Sequence, residues 1–240
     1  MSKGIVVIPT YNEIENIEAI INAVFALKTE FHILIVDDNS PDGTSLKVKE
    51  LQRQFSERLF VEVRQKKSGL GTAYVHGFKW ALEREYEYIF EMDADFSHNP
   101  KDLVKLFKAC KNGADVAIGS RYSTGVNVVN WPLSRVLLSY FASVYVKLIT
   151  GMKIHDATAG FICYRRNVLE TIKLDKIKFI GYAFQIEMKY RAFVRKFNIV
   201  EVPIVFTDRT KGQSKMSGSI IREAVFGVIL LRIRKIFNTL

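Results

Sequence analysis

Cysteine is scarce in this chain: its 240 residues hold only Cys110 and Cys163. Neither has a partner at metal-binding or dithiol spacing, which excludes a disulfide scaffold, a zinc module and a thiol redox enzyme. Both read as small buried hydrophobes of a reducing compartment. Long apolar runs are also missing. No stretch reaches 18 uninterrupted apolar residues, the length of roughly 18 or more that a bilayer-spanning helix needs, so no segment is expected to span. No basic-then-apolar leader opens the chain, because Ile5–Ile8 is short and Pro9 stops it. No Gly-x-Gly-x-x-Gly follows the first apolar run, which argues against a dinucleotide-binding oxidoreductase, and no Walker-type phosphate loop is present. Zinc spacing, a helix-turn-helix pattern and an aromatic RNA-binding motif are absent as well, so nucleic acid is not an expected partner.

What the chain has in excess is positive charge. Thirty-five basic residues against 25 acidic give a net charge of +10, which points to an anionic partner such as a phosphate-bearing ligand or an anionic membrane. At 48% hydrophobic and 25% charged residues, the composition is that of a globular protein with a sizeable core. Apolar segments and amphipathic segments alternate. Strands are predicted at Gly4–Ile8, Phe31–Val36, Leu59–Arg64, from Tyr88, and at Val116–Gly119. Helices are predicted at Ile14–Ala26, Thr44–Phe55, Thr72–Glu83 and Pro100–Cys110. In the first helix Ile17, Ile20, Ile21 and Val24 recur at the spacing of one helical face. Alternation of this kind predicts an α/β fold, a mostly parallel sheet flanked by helices, with ligands bound beyond the carboxyl ends of the strands.

The loops after those strands carry a concentration of acids. Pro9-Thr10-Tyr11-Asn12-Glu13 follows the first strand. Asp37-Asp38-Asn39-Ser40-Pro41-Asp42-Gly43-Thr44 follows the second. The fourth runs into Met92-Asp93-Ala94-Asp95, and the fifth into Gly119-Ser120-Arg121-Tyr122. If the fourth strand continues through its aspartates, Asp93 and Asp95 lean to one side about 6–7 Å apart. That spacing suits a hard divalent cation shared with water and a diphosphate. A solvated strand end is the plain alternative, since Asp is common where strands stop. Asn12 and Asp42 are candidate helix caps. Gly69-Leu70-Gly71-Thr72 opens a helix and reads either as an anion cradle or as a turn that lets the helix pack closely. His98 reads as a cap or turn residue rather than a catalytic base.

Val7–Glu13, Val36–Thr44 and Met92–His98 resemble the family-2 glycosyltransferases, over nearly the whole chain. Within that family Ser40–Thr44, Gly119–Tyr122, Gly181–Met188 and Asp208–Lys215 are most similar to the dolichol- and polyprenol-phosphate mannose synthases. The resemblance implies a GT-A fold, a GDP-mannose donor and a polyprenyl phosphate acceptor. It implies that Pro9, Tyr11, Glu13, Val36 and Asp38 hold the nucleoside. Asp93, Ala94 and Asp95 hold metal and diphosphate, with Asp93 and Asp95 as ligands to Mg²⁺ or Mn²⁺. Arg121, Arg209 and Lys215 lie near the donor or acceptor phosphates, and Arg135 is a further basic position for the acceptor. Some relatives carry Gln where this chain has Ser97.

The chemistry implied is consistent with these residue types. A guanine edge offers N–H donors that a carboxylate such as Asp38 accepts. Charge developing on the departing diphosphate is stabilised by a divalent cation and by Arg or Lys. A phosphate monoester, with its second pKa near ~6, attacks without losing a proton, so cations matter more than a general base. The expected reaction is an in-line displacement that inverts an α-linked donor to a β-linked lipid product, led by Asp95, Arg121, Arg135 and Arg209. Asp208–Lys215, with Arg209, Lys211 and Lys215, reads as a phosphate clamp or as a solvated loop. Pro132–Ile149 reads as a packed helix or as a wall of the lipid path.

Residues 1–218 are expected to form the catalytic domain, and 219–240 an amphipathic helix lying in the membrane interface or docked on the sheet. Ala224–Leu231 is apolar, and Arg232, Arg234 and Lys235 follow it among apolar residues. The expected location is the cytoplasmic face of a membrane, bound peripherally or through a partner subunit. Three alternatives stay open: a UDP-glucose or UDP-N-acetylglucosamine donor, a sugar nucleotidyltransferase, and a non-enzymatic basic lipid- or nucleic-acid-binding domain.

Overall fold

The computed structural model describes residues 3–181, 183–208 and 218–237, with only the backbone described over 218–224. Seven strands build the central sheet: β1 (Gly4–Thr10), β2 (His32–Asp37), β3 (Leu59–Val63), β4 (Tyr88–Glu91), β5 (Val116–Ser120), β7 (Ile162–Arg165) and β8 (Ile199–Pro203). A separate parallel pair is formed by β6 (Val128–Val129) and β9 (Phe206–Thr207). The helices are α1 (Ile14–Phe25), α2 (Thr44–Gln52), α3 (Leu70–Glu83), α4 (Leu103–Lys111), α5 (Leu133–Thr150), α6 (Arg166–Ile172), α7 (Ala183–Val194) and α8 (Gly218–Ile236).

Strand order in the large sheet is β3-β2-β1-β4-β7-β5-β8. All neighbours are parallel except β7, which runs antiparallel to both β4 and β5. This is the expected GT-A-like architecture. Reversal of β7 has a consequence for the site. It starts where its neighbours end, so the loop leading into it arrives on the rim where the acidic loops gather.

The period of two along each strand sorts the core into two layers. Ile5, Val7, Leu34 and Val36 point to the side of α3, α6 and α7. Val6, Ile8, Ile33 and Ile35 point to the side of α1, α2 and α4. Each fully buried aliphatic side chain contributes roughly 1.5–3 kcal/mol, so a one-residue slip in any central strand would forfeit most of a layer. Helix α3 lies close on the sheet: a Cβ at Gly77 would come within 2.4 Å of Val7 Cγ1.

Several predicted boundaries shift. β1 runs two residues past Ile8, and α2 ends at Gln52, not Phe55. The predicted helix over Pro100–Cys110 begins as a 3₁₀ turn (Pro100–Asp102) before α4. Cys110 and Cys163 are buried free thiols, with Cys110 Sγ 3.6 Å from the Cys163 carbonyl.

Helix α8 is not detached from the remainder. Val228 and Leu231 are buried in the same core layer as α7, and Gly227 lies against the Phe179 ring. Its other face is apolar but exposed, carrying Phe226, Ile229, Leu230, Ile233, Ile236 and Phe237. Helix α5, with a mean hydropathy of 1.3, is long and apolar enough to cross a membrane by composition alone. One face of it is packed nonetheless, through Ser143, Val146 and Thr150, while Leu133, Leu137, Phe141 and Leu148 are exposed.

Candidate active site

The loops after β1 and β2 are tied into one unit by buried Asp37. Thr10 and Ser40 donate their hydroxyls to Asp37 Oδ2 at 2.8 and 2.6 Å, and the Ser40 N–H donates to Oδ1 at 2.9 Å. The Asn12 N–H donates to Ser40 Oγ at 3.0 Å. Asp42 caps two helices: it accepts the Ile14 N–H at the start of α1 and the Thr44 N–H and hydroxyl at the start of α2. Burial alone would raise its pKa, but those donors hold its carboxyl below the usual range. Asn12 does not cap. Residue 13 occupies the N-cap position of α1, and Asn12 precedes it in the left-handed region at φ 57°.

The predicted nucleoside positions fall into three environments. Tyr11 and Glu13 are partly exposed at the rim, and Lys67 Nζ sits 4.3 Å above the Tyr11 ring. Asp38 is nearly buried: Arg64 Nε donates to its Oδ1 at 2.5 Å, with Arg64 Nη2 at ion-pair distance from the same oxygen, while Arg64 Nη1 donates to Thr72 Oγ1 at 2.8 Å. The Val36 side chain is fully buried in the sheet core, so it presents no side-chain surface to a nucleoside. Pro9 lies within β1, paired in register with Val36.

The aspartate pair departs from its predicted geometry. β4 ends at Glu91, and Asp93-Ala94-Asp95 lies in the bend beyond it. The alternation of a strand therefore does not set their directions. Asp93 lines a cleft of about 380 Å³, and Asp95, nearly buried, borders a second groove of about 810 Å³. Ala94 is buried in the core. Tyr74 donates its hydroxyl to Asp93 Oδ1 at 3.3 Å, and the Ser97 N–H donates to Asp95 Oδ1 at 3.0 Å. Phe96, between Asp95 and Ser97, turns the chain at φ 59°, a conformation that costs a non-glycine residue energy and recurs at functional turns.

His98 braces this bend from below. Its Nδ1 accepts the Asp93 N–H at 3.4 Å, and its ring stacks on Phe161 at 4.9 Å. Burial pushes its pKa down to about 4, which keeps the ring neutral at neutral pH, and the Asp93 N–H selects the tautomer with an unprotonated Nδ1. The turn role expected of His98 is the one its contacts describe.

The cleft brings Asp93, Arg121 and Arg135 together. Arg121 is buried and doubly held by Asp156: Nε reaches Oδ2 at 2.7 Å and Nη2 reaches Oδ1 at 2.6 Å, with Nη2 also donating to Thr158 Oγ1 at 2.8 Å. Burial would raise the Asp156 pKa, but the Arg121 guanidinium outweighs it and holds the carboxyl low. Asp156 is positioned in turn by Glu201, whose Oε1 accepts the Asp156 N–H at 2.9 Å and the Ser120 hydroxyl at 2.7 Å. Arg135 lies 4.2 Å over the Trp131 ring and donates to Asp208 Oδ1 at 2.9 Å. From this charged end the cleft runs along Leu138, Phe141, Ala142 and Tyr145 of α5 to Val225 and Val228 of α8. One side of α5 is packed against the fold, and another lines this cleft. Arg209, Lys211 and Lys215 lie outside the described residues.

Gly71 belongs to a close-packing turn, not to an anion cradle. A Cβ there would lie 2.8 Å from the Phe184 ring and 2.9 Å from the Phe179 carbonyl, and the Gly71 N–H is spent on the Ile180 carbonyl at 2.9 Å. Sequence reasoning missed Asp156, Trp131, Tyr74 and Gln185 as site residues. A lone acid in His155-Asp156-Ala157-Thr158-Ala159-Gly160 was the available signal for the first, and nothing local links it to Arg121.

Residues 5–173 match the family described as glycosyl transferase family 2. The chain is 50% identical to a polyprenol monophosphomannose synthase of Mycolicibacterium smegmatis, over 94% of this chain and 85% of that one. The chain belongs to glycosyl transferase family 2. It is 44% identical to an undecaprenyl-phosphate mannosyltransferase of Micrococcus luteus, over 92% of this chain and 90% of that one. It is 39% identical to a dolichol-phosphate mannosyltransferase of Pyrococcus furiosus, over 91% of this chain but 60% of that one. Among solved structures, a glucosyl-3-phosphoglycerate synthase from Mycobacterium tuberculosis in complex with Mn²⁺, UDP-glucose and phosphoglyceric acid superposes with a TM-score of 0.67. At 16% identity over 95% of this chain and 79% of that one, the likeness is one of fold. The chain is therefore a glycosyltransferase, and the aspartate bend, the arginines and the cleft are its candidate active site.

Among the described residues no group of three or more His, Cys, Asp or Glu side chains could hold a metal. The aspartate bend supplies two hard oxygen donors, a set that suits Mg²⁺ or Mn²⁺ when diphosphate and water complete the shell.

Proposed function

We propose that this chain transfers mannose from GDP-mannose to a polyprenyl phosphate, with inversion, giving polyprenyl phosphate β-mannose. One observation carries the reading: a single cleft joins Asp93, Arg121 and Arg135 at one end to the apolar walls of α5 and α8 at the other. An acceptor that fits both ends is an amphiphile with an anionic head. The names of the relatives at 39–50% identity agree with that chemistry.

In this reading the acceptor phosphate meets Arg121 and Arg135. Arg121 is pre-oriented by its fork on Asp156, and Arg135 by the Trp131 face and Asp208. The buried Trp131 Nε1–H has no protein partner and is a donor suited to a phosphate oxygen. A phosphate that is largely dianionic above pH ~6 attacks the anomeric carbon directly, so positioning replaces a general base and no covalent intermediate forms. A divalent cation held by Asp93 and Asp95 would neutralise charge on the diphosphate. Arg209 and Lys215 are assigned to the same phosphates. Tyr11, Glu13 and Asp38 would hold the nucleoside, with Asp38 sharing its carboxylate between Arg64 and the guanine edge.

Residues 219–240 are assigned as the membrane-facing element of a 1–218 catalytic unit. The exposed apolar faces of α5 and α8, followed by Arg232, Arg234 and Lys235, suit peripheral attachment to the anionic cytoplasmic face, alone or with a partner subunit.

A donor screen tests this. Purified protein, polyprenyl phosphate in detergent and Mg²⁺ or Mn²⁺ are incubated separately with GDP-mannose, UDP-glucose and UDP-N-acetylglucosamine, and glycolipid is detected by mass spectrometry. Product from GDP-mannose alone is expected. Product from a UDP donor alone overturns the mannose assignment, and no product overturns the acceptor assignment.

A further inference from the structure

Helix α7 is an unusual core element, because Gln185, Glu187, Lys189 and Arg191 are all buried in it. Three of the four have their work within the fold. Glu187 and Arg191 form a fully buried pair, and Glu187 accepts the Lys178 and Phe179 N–H groups. Lys189 donates to the carbonyls of Ala159 and Gln185 at 2.5 and 3.2 Å. Gln185 is different. Its Nε2 donates to buried Glu91, which fixes the amide, but its Oε1 is buried without a partner and the residue lines the cleft. Only 3% of Gln185 is exposed, so bulk water does not satisfy that oxygen.

An orphaned buried acceptor costs about 1–3 kcal/mol, and such groups in native sites ask for an explanation. The chemistry of the missing partner can be narrowed. A carbonyl oxygen needs a donor, and the acceptor phosphate, as a dianion, has none to give. A diphosphate and a metal-bound carboxylate fail for the same reason. The polyprenyl chain carries no donor either. Of the groups that meet in the cleft, the sugar hydroxyls are donors. The approach is open: Gly160 faces the amide, and a Cβ there would already stand 3.5 Å from Gln185 Nε2. Tyr74, stacked at 5.9 Å on neighbouring Phe184, donates to Asp93, so the residue beside Gln185 is tied to the diphosphate end.

We propose that Gln185 reads a hydroxyl of the transferred hexose, its Oε1 accepting the O–H at the floor of the cleft while Glu91 holds the amide by its nitrogen. The proposal rests on reading the cleft as the place of sugar transfer, and not on which hexose is used. Gln185 is then a specificity residue, neutral where a carboxylate would repel the incoming phosphate.

The test is a cycle between Gln185→Met, which keeps the side-chain length and removes the acceptor, and a set of monodeoxy GDP-mannose donors. With the parent donor, kcat/KM should fall about 3- to 10-fold, the worth of one neutral hydrogen bond, while affinity for GDP alone stays within about twofold. With one deoxy donor, wild type should lose the same factor and the variant should lose nothing further. Equal losses for the variant with every deoxy donor, or a matching fall in GDP affinity, overturn the proposal. Should Gln185→Met lose its cooperative melting transition, Gln185→Asn, which withdraws the amide by one methylene, is read in the same way. Wild type that prefers a UDP-hexose would overturn the donor assignment above and leave this test standing, run with that donor and its own deoxy series.

Discussion

The donor rim and the acceptor cleft are built on opposite plans. On the rim, the loops after β1 and β2 organise themselves: Thr10, Asp37, Ser40, Asp42 and Thr44 satisfy one another within two neighbouring segments. In the cleft, the polar anchors of Arg121, Arg135 and Gln185 come from residues further away in the chain. Arg121 depends on Asp156, Arg135 on Asp208, and Gln185 on Glu91. The rim is therefore tied mainly across two adjacent loops, at chain separations of 27 to 31 residues, and the cleft across separations of 35 to 94 residues. The antiparallel strand β7 makes the difference, because it carries the Asp156 loop back to the rim.

The largest expected effect is at the bend between the two regions. Asp95→Asn keeps an oxygen for the Ser97 N–H but weakens a hard-cation ligand. Transfer should fall by roughly 10²–10³-fold, as when one element stabilising developing charge is removed, with the melting temperature nearly unchanged. Activity close to wild type would remove Asp95 from the site. A collapse in stability would make it a structural residue.

The next separates the two plans directly. Asp156→Asn leaves the buried Arg121 charge without its counter-ion, which typically costs about 3–5 kcal/mol. Arg64→Ala on the rim removes the counter-ion of nearly buried Asp38, in a pair less buried than Arg121–Asp156 (side-chain exposure 13% and 7% against 9% and 0%), and should cost less, about 1–3 kcal/mol. Chemical denaturation reads both. Equal costs would mean that rim and cleft are equally dependent on distant partners, against the contrast drawn here.

These two plans also explain what was legible from the sequence. Both faces of the sheet, the strand-end acids and the first helices follow from periodicity and turn residues. So does the exclusion of Gly-rich phosphate loops. The direction of Asp93 and Asp95 was not legible, since a bend after Glu91 replaces the strand alternation that would have aligned them. Nor was the fork on Arg121, because 35 residues separate it from Asp156 and no local pattern pairs an arginine with a particular acid. Val36 shows the converse case: a position that resemblance assigns to the nucleoside turns out to put its side chain in the core.

The membrane contrast is smaller in energy. On α8, Val228 and Leu231 face the core and Phe226 and Leu230 face outward. Phe226→Ser with Leu230→Ser should lower partitioning onto anionic liposomes by about tenfold or more, given about 1.5–3 kcal/mol for each buried apolar side chain, with GDP affinity unaltered. Unchanged sedimentation with liposomes would assign that face to another role.

The smallest effect in wild type is a pH dependence in which a group beneath the bend and a group beneath the cleft oppose each other. Burial lowers the pKa of His98, beneath the aspartate bend, from 6.5 to about 4. Between those values the unfolded chain binds the extra proton, so His98 makes stability fall as pH falls. Burial raises the pKa of Glu91, beneath Gln185, from 4.5 to about 7. There the folded chain binds the extra proton, so Glu91 makes stability fall as pH rises. Lys189, lowered from 10.5 to about 8 by burial, titrates above this window. The two contributions overlap between about pH 4.5 and 6.5 with opposite signs, so each offsets part of the other there. Glu91→Gln keeps an acceptor for Gln185 and should uncover the His98 slope, with stability dropping by up to roughly 3 kcal/mol on acidification, at 1.36 kcal/mol per pKa unit. His98→Gln should uncover the opposite slope. Two variants with the same sign of slope would mean that the buried groups beneath the bend and the cleft are not separately tuned, and the contrast between bend and cleft would end at their surfaces.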